Sequence, residues 1–360
     1  MTMLKIATHE GGHVDAGAQP GVFHGPAQRT AELLARLHQD VQAIRDDVEA
    51  IRQDMLMIQQ SSLRARWKRF LSPRLNATPH HPPIPLNVPR RYAQLPKLSE
   101  PPSIAIVTPA YNHGHFLERT LRSVLDQNYP RLQYVVQDGG SRDDTVSLLR
   151  RYHDRLTHWE SRPDGGQANA INLGFRHAQG DIMAYLNSDD LLLPGALHYV
   201  AHWFSRHPNV DVVYSHRILV DAKDREVGRW ILPPHDDRIL GWADYVPQET
   251  MFWRRRIWEK TGAAMDESFQ FALDWDLLLR FRAAGAQIVR LPRFLGAFRL
   301  HETQKTSAQM ATRGDAEIRR LRERTLGRAV AMTEVLFAIR SYLRRQVLYR
   351  HLYRFGLLRH

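Results

Sequence analysis

Four oxygen-bearing side chains follow one another at Asn187, Ser188, Asp189 and Asp190, directly after the short apolar run 182–186. The run has the length of a strand buried on both faces, and Gly180-Asp181 before it reads as a turn. Acidic groups at the carboxyl end of a buried strand stand where open α/β sheets bind their ligands. Adjacent carboxylates there suit a hard divalent cation, Mg²⁺ or Mn²⁺, with a phosphate completing its shell. By residue type alone, a solvated turn with Asp190 capping the helix near Pro194 is an equal reading. Asp274 carries the same ambiguity, because it opens a helical pattern over 274–284 that Gly285 closes, and Asp is a favoured N-cap. Asp276, two residues on, reads as a surface or structural acid.

These groups need a sheet to bring them together. The apolar run 103–108 is broken by Pro109, and Leu117, Leu121, Val124 and Leu125 then mark one face of a helix that closes at Asn128-Tyr-Pro130. A second strand, 132–137, ends in Asp138-Gly-Gly-Ser141. A helix from about 143, a shorter strand at 156–159, and a helix over 167–177 follow. Strands and helices alternating through short connections predict right-handed βαβ units and a largely parallel sheet. The polar turns at 109–112, 138–141 and 187–190 then share one edge, where a nucleotide site is expected. No Gly-x-Gly-x-x-Gly follows the first strand, and no Gly-x-x-x-x-Gly-Lys-Ser/Thr occurs. Asp189 with a bound divalent ion is the candidate left for meeting phosphate charge.

The motifs in this order resemble glycosyltransferase family 2. They are Thr108-Pro-Ala-Tyr-Asn112, Gln137-Asp-Gly-Gly-Ser141 with Asp143, Asp164-Gly-Gly-Gln-Ala-Asn-Ala-Ile-Asn-Leu-Gly174 and Leu186-Asn-Ser-Asp-Asp190. Pro247-Gln-Glu-Thr-Met-Phe-Trp-Arg-Arg255, Leu273-Asp-Trp-Asp-Leu-Leu-Leu-Arg280 and Phe298-Arg-Leu-His301 continue the likeness, which covers about 103–307. The resemblance implies a glycosyltransferase A-type, Rossmann-like fold, with a mostly parallel sheet flanked by helices. It implies an inverting enzyme that moves a sugar from a nucleotide-diphosphate donor, a UDP-sugar, to a glycan or lipid-linked acceptor.

Carried over by the resemblance, Pro109, Ala110, Tyr111 and Asn112 would line the nucleotide pocket, with Asp138 hydrogen-bonding the base. Asp164, Gly165 and Asn169 would border the nucleotide and diphosphate. Ser188 falls inside the family's Asp-x-Asp, and Asp189 takes its metal-binding position. His301 would be a last metal or diphosphate ligand, and Asp274 the general base. Asp190, Gln248 and Trp275 fall on the sugar or acceptor side, Trp275 as a stacking platform, although buried core aromatics are the commoner case. Asn187 replaces the first acid of the motif, Asn169 stands where Asp is common, and Leu273 replaces the Glu that usually precedes the base. Transfer needs the leaving diphosphate neutralised and the acceptor hydroxyl deprotonated by a base on the opposite side, which inverts the anomeric centre.

The rest of the 360 residues divides by composition. Residues 1–27 lack periodicity and are expected to be disordered. Within a coiled-coil helix over 28–70, Leu34, Val41, Val48 and Met55 interleave with Leu37, Ile44, Ile51 and Ile58 as an a/d seam. Asp40 and Asp47 face Arg45 and Arg52 across it, so 34–58 predicts a parallel homo-oligomer, dimer or trimer. A Pro-rich linker, 71–102, precedes the catalytic domain over 103–307. The basic helical extension 308–360 holds 12 Arg, no Lys and 4 acids, a net +8 of the formal +12. Its stripe of Leu336, Ile339, Leu343 and Val347 beside Arg340, Arg344 and Arg345 reads equally as a helix lying on an anionic membrane or one packed on the domain. No cysteine is present, which removes thiolate chemistry. No apolar run nears the ~20 residues that span a bilayer, and no signal-peptide pattern is seen. The expectation is a cytoplasmic protein, peripheral on the cytoplasmic membrane face. The basic tail raises nucleic-acid binding as an alternative, yet no nucleic-acid module is visible. A coiled-coil scaffold with an inactive transferase domain is a further one.

Overall fold

The computed structural model describes residues 38, 41, 42, 79–94, 98–301 and 313–358. The chain divides into two compact units, Met1–Leu71 and Ser72–His360. In the first, only His38, Val41 and Gln42 are described, all helical and exposed. The heptad seam over 34–58 and the segment 1–27 therefore lie outside the described residues, apart from those three positions.

The second unit opens with β1 (Ile104–Ala110), α1 (Gly114–Leu125), β2 (Leu132–Asp138), α2 (Thr145–Arg151), β3 (His158–Ser161) and α3 (Gln167–Phe175). Next come β4 (Ile182–Tyr185), β5 (Leu191–Leu192), α4 (Ala196–Arg206), β6 (Val212–Val220) and β7 (Glu226–Trp230). A short α5 (Asp237–Leu240), β8 (Phe252–Arg254), α6 (Arg255–Lys260), α7 (Leu273–Ala283) and β9 (Ile288–Arg299) follow. Two helices, α8 (Asp315–Leu326) and α9 (Met332–Arg354), close the described chain.

Alternate residues of β1 face two different cores, as the period of a strand requires. Ile104 and Ile106 join Tyr134, Val136, Ile182 and Ala184 under α1, α2 and α4. Ala105 and Val107 join Val135, Met183 and Tyr185 against α3 and α7. The strand is buried along its whole length, which explains its unbroken apolar run. Gly174 lets α3 approach this layer closely, since a Cβ there would sit 2.4 Å from Val107 Cγ1.

The strand order is β3-β2-β1-β4-β8-β6-β9-β5, with β7 on β6. Pairs β1–β2, β1–β4, β2–β3 and β6–β9 are parallel. Pairs β4–β8, β6–β8, β6–β7 and β5–β9 are antiparallel. The expectation of a mostly parallel sheet thus holds for the first half alone, and the sheet is mixed. One of these pairs is local: β6 returns as β7 through a turn in which Asp224 takes φ 61°, so no helical crossover intervenes.

Residues 79–94, expected as part of a linker, lie against β7 and β9. Ile84 bridges Glu226 in antiparallel fashion, and His80 N donates to Val227 O at 2.7 Å. Tyr92 is buried, its hydroxyl accepts from Phe294 N at 2.9 Å, and Arg293 stacks 3.8 Å from its ring. The segment covers an edge strand whose backbone would otherwise be left unpaired.

Candidate functional site

The three polar turns and the start of α7 enclose one cleft of about 820 Å³, within the usual range for small-molecule sites. Pro109, Ala110 and Tyr111 come from the end of β1; Pro163, Asp164 and Gly166 from the loop after β3; Asn187, Ser188 and Asp189 from the end of β4. Arg217, Gln248, Phe271 and Asp274 line the other side. Of the expected site residues, Pro109, Ala110, Tyr111, Asp164, Ser188, Asp189, Gln248 and Asp274 therefore share this cleft.

Strand β9 closes the far end of the motif at 187–190. Its terminal half pairs with β5, directly after Asp190, so the residues beyond Arg299 run back past the turn. His301 Nε2 consequently lies 3.0 Å from Asp189 Oδ2, although 112 residues separate them. Both side chains are nearly enclosed, with 4% and 14% exposure. Burial alone would raise the Asp189 carboxyl, but the His301 hydrogen bond and the nearby His113 hold it below the usual value. His113 Nδ1 pairs with Ser188 Oγ at 2.8 Å, and burial pushes this imidazole down. The Arg299 guanidinium donates to the carbonyl of Asp189.

Asp190 points away from the cleft. It is buried, accepts from Arg299 N at 3.1 Å, and burial with the charges of Asp189 and Glu249 pushes its carboxyl well above the usual range. Its expected sugar or acceptor contact is replaced by a role in fastening β9. Asn187 is a junction: its Oδ1 accepts from Gln167 Nε2 at 2.7 Å, and its amide donates to Gln248 Oε1 at 3.2 Å. An Asp there could accept from Gln167 but not donate to Gln248, so the change from the family's acid reorganises this wall.

On the nucleotide side, Asp138 lies beneath the cleft surface. Its carboxylate accepts from Ser141 N at 2.9 Å, from Ser161 Oγ at 2.6 Å and from Ser141 Oγ. Asn112, at φ 52°, links the same loop by accepting from Arg142 N at 2.9 Å. Asn169 accepts from Gly165 N at 3.1 Å and donates to Glu267 at 3.0 Å. Asn112, Asp138, Gly165 and Asn169 thus shape the loops that the lining residues stand on. Burial, with a smaller push from Asp138, raises the Asp164 carboxyl.

Asp274 does not cap its helix. Helix α7 begins at Leu273 after Ala272, with no side-chain cap, and a distant carboxylate holds the loop before it: Glu317 of α8 accepts from Gln270 N (3.0 Å), Phe271 N (2.8 Å) and Ala272 N (3.0 Å). Asp274 is left in the first turn at the cleft wall, accepting from Trp275 N at 2.9 Å. Burial raises its carboxyl to about 6, against the lowering by the Trp275 amide and Arg217. Trp275, expected as a sugar platform, is a core residue at 1% exposure, with Nε1 donating to Leu240 O at 2.8 Å. One step along a helix turns a side chain by about 100°, which takes Trp275 inward where Asp274 faces the cleft. Asp276 is the structural acid of its pair, fully buried between Arg280 (2.8 Å) and Arg324 (2.5 Å).

Among the lining residues that escaped the reading of the sequence, two have side chains that can carry positive charge. His113 follows the first turn in Asn112-His-Gly-His115, and its imidazole was the available signal. Arg217 sits within the wholly buried strand β6, clamped by Glu249 at 2.7 and 2.5 Å and sandwiched between Trp230 and Phe298. A charge in an apolar strand could have flagged it.

The model of the family described as "Glycosyl transferase family 2" matches residues 105–267, a stretch that includes Asp189 and stops short of Asp274 and His301. An uncharacterized glycosyltransferase of Mycobacterium tuberculosis is 30% identical over 189 residues, 51% of this chain and 70% of the relative. Among solved structures, Staphylococcus aureus TarS 1-349 in complex with UDP-GlcNAc superposes with a TM-score of 0.53 at 19% identity, covering 69% of this chain and 74% of that one. Mannosyltransferase PcManGT from Pyrobaculum calidifontis, in complex with GDP-Man and Mn²⁺, gives 0.51 at 21% identity, covering 77% and 75%. These two likenesses concern the fold, and they agree with a glycosyltransferase A-type α/β sheet. With the motif order, the matched model and the identity maintained over most of the mycobacterial relative, the chain belongs to glycosyl transferase family 2.

Proposed function

We propose that the protein is an inverting glycosyltransferase that moves a sugar from a UDP-sugar to a hydroxyl of a glycan or lipid-linked acceptor, assisted by a divalent metal. One observation carries the reading. A single cleft has Asp189, paired with His301, on one wall and, on another, the Asp274 carboxyl, which burial pushes up to about 6. The neighbours' bound UDP-GlcNAc and GDP-Man support a nucleotide-sugar donor.

Asp189 and His301 suit such an ion. Their 3.0 Å spacing is that of adjacent ligands on a six-coordinate ion at ~2.1 Å. Among the described residues no cage of three His, Asp or Glu forms, so water and phosphate oxygens would complete the shell, as is usual for Mg²⁺. When bound, the ion would offset charge developing on the leaving diphosphate. Asp274 takes the acceptor's proton on its free carboxylate oxygen. A value near 6 leaves it ionised at neutral pH yet more basic than an ordinary Asp. Tyr111, 60% exposed at the mouth, offers a ring face to the nucleobase. Gln248, held by Asn187 and by the carbonyl of Tyr185 at 2.8 Å, orients the sugar. Asp138 and Asn169 act through the loops they fasten.

The test is nucleotide release over a panel of UDP- and GDP-sugars with Mn²⁺ or Mg²⁺, the product anomer being read by NMR. Release with inversion is expected from a UDP-sugar. Tight UDP binding without turnover on any donor and acceptor would favour a non-catalytic domain instead.

A further inference from the structure

Helix α9 is partnered along one face only. Val335, Ile339, Tyr342, Gln346, Tyr349 and Tyr353, spaced by four and three, turn inward. Tyr342 packs 4.4 Å from the Tyr245 ring, and Gln346 Nε2 donates to Ile231 O at 3.3 Å. Water should meet polar groups on the opposite face of such a helix. Leu336 (53% exposed), Phe337 (63%) and Leu348 (54%) stand there instead, followed by Phe355 (66%) and Leu357 (71%). Six of the nine large hydrophobic side chains most exposed among the described residues fall between 332 and 357. The patch is therefore a property of this element and not of the surface at large.

Its charge is as one-sided as its hydrophobicity. After Glu334 the sequence contains six Arg and no acid as far as His360. Arg340 and Arg344 sit among the exposed apolar groups, with Arg340 3.7 Å from the Phe337 ring. On the inward side, by contrast, Arg345 is neutralised by Asp236 at 2.6 Å. Guanidinium groups beside leucine and phenylalanine match the boundary of an anionic bilayer, where the apolar groups enter the acyl region and the guanidiniums meet lipid phosphates. No helix among the described residues is long and apolar enough to cross a membrane, so α9 would lie flat.

We infer that the outward face of α9, with Leu336, Phe337, Arg340, Arg344, Leu348 and the adjoining Phe355, docks the protein on an anionic phospholipid surface. The inference is independent of which sugar is transferred. The full chain is tested by co-sedimentation with phosphatidylglycerol or phosphatidylcholine vesicles. Wild type should bind phosphatidylglycerol at least about tenfold more tightly, and salt should weaken that binding. The combined variant Leu336→Ser, Phe337→Ser, Leu348→Ser should lose at least about tenfold in affinity for phosphatidylglycerol. Arg340→Gln with Arg344→Gln should lose about twentyfold. Both should keep the wild-type melting temperature, because none of these side chains lies on the packed face. Equal binding to the two lipids, no binding to either, or undiminished binding by both variants overturns the inference. So does a serine variant that sediments as a smaller species with unchanged lipid binding, which would make the face a self-association surface.

Discussion

Replacing Asp274 by Asn separates the tasks of its carboxyl. Asn Oδ1 can still accept the Trp275 amide, now at 2.9 Å, while the charge and the proton affinity are lost. Burial lifts the folded-state carboxyl from 3.8 to about 6. The native protein therefore holds this proton where the unfolded chain has released it, and stability falls as pH rises between those values. Above both, the gap amounts to about 3 kcal/mol. Losing a negative charge from the first turn of α7 returns ~0.3–1 kcal/mol of that. The variant should thus be stabler by about 2 kcal/mol near neutral pH, several degrees in Tm, and should show no such gain near pH 4. Turnover should fall ~10²- to 10⁴-fold with nucleotide affinity nearly unchanged, and wild-type turnover should rise with pH through an inflection near 6. The assays are thermal melts at both pH values beside nucleotide release and calorimetry. A variant keeping more than about a tenth of wild-type turnover removes Asp274 as the base. A Tm difference that ignores pH refutes the burial argument.

Further outcomes follow from the same geometry. UDP affinity measured by calorimetry should drop on chelation of divalent ions, and Asp189→Ala should abolish that dependence; equal wild-type affinity with and without chelator argues against the metal role. Glu317→Ala, which removes the carboxylate shared by the amides of 270–272, should cost ~1–3 kcal/mol of stability and lower kcat while UDP affinity persists. Normal kcat in that variant would show that the wall before Asp274 holds itself. Full-length protein should sediment as a dimer or trimer, and deletion of residues 1–71 should give a monomer that still binds UDP; a full-length monomer at micromolar concentration removes the heptad reading.

The first half of the fold was legible because its signals are local. Strands β1, β2 and β4 carry apolar runs that end at Pro109, Asp138-Gly139 and Asn187, and helices stand between them. The later strands were not, since β5 has two residues and β8 three, and only their partners define them. The same distinction runs through the site. Asp189 and His301 were named as motif positions, but the start of α7 was misplaced: its N-cap is Ala272, which has no capping side chain. The loop before it is held by Glu317, more than forty residues from the amides it satisfies, and a scan for Ser, Asp or Asn at the helix start is blind to it. Trp275 misled for the opposite reason: adjacency in sequence to Asp274 says nothing about direction on a helix.

Strand β9 gives the turn at 187–190 a function during assembly. Asp190 fastens Arg299 by its backbone amide, and Asp189 meets His301 two residues on. A slip of β9 by one residue would carry the Arg299 guanidinium away from the Asp189 carbonyl and His301 away from the Asp189 carboxylate, leaving buried polar groups unpaired, a costly arrangement. The turn thus acts as a register check on a long strand whose alignment with β6 shifts near Pro292 and Arg293, where Leu291 pairs with Ser215 but Phe294 with His216. Deleting either bulge residue would be read most sensitively as lost donor binding, well before the sheet itself comes apart. On the proposed function, a donor bound at Asp189 and His301 together would in turn select the aligned strand.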